Sequence, residues 1–178
     1  ITSEPVTILV GEVKEEFFVH AQLLTTSSKY LEKLLEHKPN ERMESTERTL
    51  RTVKLLDVDN SAFRLYSKWL YTGHFHFADV TASKVSSKPS PKLVWDELSS
   101  CYGLSVFLEA AGFADATIDA LIDQMKILND SPVNLAKWIF PHTANDSKHR
   151  TLCCDIVVHT WDRTKFNLLW KTTSLAIS

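Results

Sequence analysis

Five residues toward the C-terminal end carry the side chains best suited to metal or thiol chemistry: His142, His149, Cys153, Cys154 and His159. His149 and Cys153 stand at i and i+4, so on a helix they would offer an imidazole and a thiolate from one face. A zinc centre needs further donors. The sequence has neither a Cys-x-x-Cys pair nor a second paired set to supply them. The expectation is small core cysteines and surface histidines, with no metal and no cofactor. His74 and His76 alternate with Phe75 and Phe77, which suits a short strand whose imidazoles share an exposed side. Cys101 lies beside Tyr102 but without the surroundings of a nucleophile, and reads as a buried thiol on an amphipathic helix. Glu15 and Glu16 read as turn residues, and Asp57 and Asp59 as residues around a helix cap, where carboxylates meet free amides. The four glycines make no phosphate-cradling loop. None of this assembles a catalytic site, and the chain is expected not to be an enzyme.

Composition narrows the classes further. Of 178 residues, 44% are hydrophobic and 10% aromatic, which excludes global disorder. The 20 basic and 22 acidic residues leave a net charge of −2, and with no basic run nucleic acid is not an expected partner. No apolar stretch approaches the roughly 20 residues that span a bilayer, so no membrane partner is expected either. Three cysteines do not make a disulfide framework; reduced thiols in an intracellular protein, cytoplasmic or nuclear, are expected. No signal peptide is recognisable. The chain opens on Ile1 instead of Met and reads as a trimmed piece.

Residues 6–10 and 16–20 are rich in β-branched and aromatic side chains and predict a strand pair around a link that starts at Gly11. Leu23 and Leu24 sit on the helix that follows. Ser27 and Ser28 can cap a second helix, in which Tyr30, Leu31, Leu34 and Leu35 share one face until Pro39 stops it. Residues 40–52 read as a solvated loop, and Val53, Leu55 and Leu56 as a strand. Asp59 or Asn60 then caps a helix carrying Phe63, Tyr66, Trp69 and Leu70, and Gly73 supplies the left-handed residue that ends it. Residues 78–92 are polar, Ser- and Lys-rich, and read as an exposed insertion.

Beyond it, residues 95–108 predict a helix weakened at Gly103 and broken at Gly112. A second helix carries Ile118, Leu121, Ile122 and Met125. Ser131 and Pro132 predict the start of a short helix over residues 133–139, ended by Pro141. Asn145, Asp146 and Ser147 open another, with Leu152 and Ile156; Phe166, Leu168, Leu169 and Trp170 form an apolar tail. Phe63, Leu70, Leu98, Leu121 and Ile122 are the expected core. The fold class is α/β (α+β): a small three-stranded sheet, a cluster of helices and extra C-terminal helices.

Four of these segments, in this order, resemble the BTB/POZ family. Phe17, Phe18, Val19 and His20 leading to Leu23 and Leu24 resemble its strand-into-helix entry, where the His caps or anchors the turn. Ser27, Ser28, Lys29, Tyr30 and Leu31 are similar to its Ser-x-aromatic helix. Leu55, Leu56, Asp57, Val58 and Asp59 leading to Phe63 resemble its strand-to-helix turn, and Trp69, Leu70, Tyr71, Thr72 and Gly73 its Leu-Tyr-Thr-Gly ending. The likeness runs over roughly residues 5–127. The wording from Trp69 to Gly73, with Cys101, Tyr102, Gly103 and Leu104, resembles the fungal branch most.

The resemblance implies a domain over residues 1–127, with the insertion at 78–92, and a helical extension over 128–178. It also implies a protein–protein interaction module that homodimerises and serves as an adaptor or scaffold, with a cullin ubiquitin ligase as one partner. The interface would form on the first helix, at Ala21, Gln22 and Leu24; Leu23 and Leu24 point about 100° apart, so one should pack inward and the other outward. The apolar-x-Glu element of cullin binding is not placed in this sequence, so the cullin-type surface is unknown. Pro5 and Ala21 replace the Asp and Arg of the charged pocket in the family's zinc-finger repressors. An interaction domain of a transcriptional regulator is the alternative reading, and a metal- or thiol-dependent enzyme a more distant one.

Overall fold

The computed structural model describes residues 3–36, 51–75 and 90–161. β1 (Pro5–Val10) and β2 (Glu15–His20) form an antiparallel hairpin, and β3 (Thr52–Leu55) joins β1 in parallel, giving the order β2-β1-β3. Alternation assigns the two faces: Val6, Ile8, Val10, Val19, Val53 and Leu55 are buried, while Glu16, Phe18, Thr52 and Lys54 are exposed. Glu15 and Glu16 therefore belong to a strand, not to the turn expected for them. The turn itself is made by positive φ at Gly11 and Lys14. Glycine suits position 11 because its φ of 69 strains an L side chain and a Cβ there would have to displace the Asn60 amide oxygen.

Seven α-helices complete the described residues: α1 (Ala21–Ser27), α2 (Lys29–Glu36), α3 (Asn60–Thr72), α4 (Pro91–Phe107), α5 (Ala111–Leu128), α6 (Leu135–Ile139) and α7 (Lys148–Thr160). A 3-10 turn, Phe140–His142, follows α6 and carries the chain through Pro141. The expected caps are in place. Ser28 Oγ accepts from Leu31 N at 3.0 Å, Asp59 from Ala62 N at 2.9 Å and Ser147 from His149 N at 3.2 Å. Gly73 closes α3 in the left-handed region, its N–H donating to the Trp69 carbonyl.

Three expectations are corrected. The break between α4 and α5 falls on Glu109, at φ 51, and not on Gly112, which lies in the first turn of α5. There a Cβ would meet the Trp69 ring at 3.4 Å, an ordinary van der Waals contact, so neither space nor φ demands glycine. Ser131 and Pro132 do not start a helix: both are buried, and α6 begins at Leu135. Ser90 and Pro91, read as loop, are the N-cap and first residue of α4, with Ser90 Oγ accepting from Leu93 N at 3.4 Å. His74 and Phe75 are irregular, while His76, Phe77, residues 78–89 of the expected insertion and the tail from Phe166 to Trp170 lie outside the described residues.

Two apolar clusters pack side by side. The first joins the sheet, α1, α2 and α3 with Cys101, Leu104, Leu108 and Phe113. Its centre is a run of rings, with Phe113 5.0 Å from Tyr66, 5.3 Å from Trp69 and 5.9 Å from Phe75. The second joins α4 and α5, through Leu98, Tyr102, Ile118 and Leu121, to Leu135, Trp138 and Ile139 of α6 and Cys153 and Ile156 of α7. Helix α4 serves both, with adjacent parts of its buried face. Phe63, Leu98 and Leu121 are core as expected, whereas Leu70 and Ile122 are only partly buried at the cluster edges.

Candidate interaction surface

The first helix is built out of β2. His20 is its N-cap in extended conformation, yet its side chain makes no capping bond. Instead the Tyr71 hydroxyl accepts from His20 N at 3.2 Å and makes a second hydrogen bond, of 2.7 Å, with His20 Nδ1. So the His of the strand-into-helix segment is anchored by the Tyr that ends α3. The free amides of the first turn are met by the chain's own leading residues: Ala21 N donates to the Glu4 carbonyl at 3.0 Å and Gln22 N to Ser3 Oγ at 3.2 Å.

Of the residues expected on the partner surface, Gln22 is exposed and Ala21 partly so, but Leu24 is 0% exposed. Leu24 points into the first core, while Leu23, one position earlier, packs against that core's edge and stays partly exposed. The exposed Tyr71 ring lies beside this helix start, 5.8 Å from the His20 ring. The other end of α1 is tied inward, with Ser27 Oγ 2.6 Å from the Tyr66 hydroxyl. Burial pushes Tyr66 up to about 12, offset in part by that bond, so its phenol is a structural hydrogen-bond group.

The C-terminal donors do not converge. His149 sits between α4 and α5, with Nδ1 in a 3.0 Å hydrogen bond to Tyr102 Oη and Nε2 in one of 3.1 Å to Asp115 Oδ1. Both ring nitrogens are thus committed to protein partners. Among the described residues no three His, Cys, Asp or Glu side chains are grouped to hold a metal ion. Burial, with the Cys154 thiol beside it, raises Cys153 to about 11. Burial first, then Glu97 and Asp59, holds Cys101 well above the usual thiol range. Cys154 alone is exposed. A maleimide reagent at neutral pH should therefore label one thiol quickly and the other two only on unfolding; rapid labelling of two or three would contradict this placement.

The surface and its scaffold define a small mixed sheet that presents helices to the outside, the BTB-like fold. Residues 5–89 match the family model of the BTB/POZ domain. This part of the chain is a BTB/POZ domain, a protein–protein interaction module. Among solved structures, the chain is similar to the BTB domain of zebrafish PATZ1, at 18% identity over 67% of this chain and 75% of that one, with a TM-score of 0.42. It is also similar to the BTB domain of human gigaxonin, at 12% identity over 65% of this chain and 75% of that one, with a TM-score of 0.43. The curated proteins include no match. Among the described residues no helix is long and apolar enough to cross a membrane.

Proposed function

We propose that the chain acts without enzymatic chemistry, by self-association through the start of α1 and by adaptor binding of other proteins. The observation that carries this reading is the division of labour on α1. Leu24 alone is fully buried, while Ala21 and Leu23 remain partly open next to exposed Gln22 and Tyr71. Such a mixed rim gains apolar burial against a second copy without stranding a charge. The dimer must offset several kcal/mol of lost rigid-body freedom, so a modest affinity is expected. In this reading residues 1–127 are the interaction domain and residues 128–178 an extension whose α6 and α7 pack on α4 and α5, and a cullin scaffold is the adaptor partner to test first. Ala21→Asp or Gln22→Lys should weaken sedimentation-detected dimers while leaving the circular-dichroism melt in place. Variants that sediment like the parent chain would remove α1 from the interface.

A further inference from the structure

Between the β3–α3 turn and α4 lies a hollow of about 300 Å³, lined by Asp57, Val58, Asp59, Gly103, Leu104 and Phe107. Its apolar part is Val58, Leu104 and the ring of Phe107, which is 45% exposed. Gly103 opens the hollow further, since a Cβ there would meet nothing within 4 Å. Its rim is acidic. Asp57 has no hydrogen bond or ion pair among the described residues, and Asp59 uses Oδ1 for Ala62 N and Ser61 Oγ. Behind them Glu97 holds Oε1 buried and without a partner among the described residues, its pKa raised by burial and by Asp59. Arg64 is paired with Glu15 at 2.6 Å and its charge also favours the Glu97 carboxylate, while Asp57 and Asp59 have no ion pair among the described residues. An exposed apolar floor beside Asp57 and Asp59, neither in an ion pair among the described residues, is the complement of a segment that pairs a cation with a bulky apolar side chain.

We propose that this groove docks a partner-protein segment in which an Arg or Lys stands next to a large apolar residue. It is separate from the α1 surface and does not depend on self-association. The test uses the full chain and three fluorescein-labelled hexapeptides: Gly-Arg-Leu-Arg-Leu-Gly, the same with Glu for Arg, and the same with Ser for Leu. Fluorescence anisotropy should detect the Arg–Leu peptide and neither control. Asp57→Lys should weaken it up to about fivefold, the upper end of one exposed charge contact. Gly103→Gln, which fills the hollow with a residue that a helix accepts better than glycine, should remove it. Asp57→Asn, with a smaller loss expected, keeps the charge test available if the lysine variant does not fold. Ala21→Asp should bind the peptide normally, which separates failure of the groove from failure of the dimer. Equal binding of the Glu peptide, indifference to Gly103→Gln, or no binding at millimolar peptide would overturn the proposal. So would loss of self-association in Gly103→Gln, because the occupant would then be a second copy.

Discussion

Replacing Phe113 with alanine is expected to lower the unfolding free energy by about 3–5 kcal/mol, the range for a large aromatic removed from a filled core. The ring is fully buried and lies against Tyr66, Trp69 and Phe75 together. Those neighbours belong to α3 and the residues after it, so Phe113 holds α5 onto the sheet side of the molecule. Urea titration at unchanged slope would measure the loss directly. A change under about 1 kcal/mol would mean that the site collapses around the gap or is not core.

Leu121→Ala should cost about 2–5 kcal/mol from the second cluster, where Leu121 is 1% exposed. The instructive part is the shape of the transition. Since α4 gives Cys101 and Leu104 to one cluster and Leu98 and Tyr102 to the other, neither half keeps its packing once α4 leaves. Both variants should therefore unfold in one transition, with intrinsic fluorescence and far-ultraviolet circular dichroism coincident. Two separated transitions in Leu121→Ala would show that the C-terminal helices come off alone.

What the sequence made legible was whatever depends on a few adjacent residues. A Ser or Asp oxygen reaches an amide only two or three positions on, so Ser28, Asp59 and Ser147 could be placed as caps from local wording. Gly73 at the end of α3 is of the same kind. The Ser-Pro dipeptide marks the limit of such signals. At Ser90 and Pro91 it starts a helix, while at Ser131 and Pro132 both residues are buried ahead of α6. Nothing local separates the two cases, because the difference lies in what packs over them.

The same limit applied at the candidate surface. Leu23 and Leu24 are equally apolar, and which of them turns inward depends on where α1 meets the sheet. The Tyr71 anchor joins residues 51 positions apart and has no signature that spacing could reveal. His149 and Cys153 had the spacing of a ligand pair, but Tyr102 and Asp115 reach His149 from other helices and give it a structural role instead.

The most direct test of the central claim is molar mass by light scattering, recorded for the unmodified chain over a range of concentrations. The mass should rise from the single-chain value of 20.3 kDa toward twice that as concentration increases, with the rise suppressed in Gln22→Lys. A mass that stays at the single-chain value through the high micromolar range would contradict self-association.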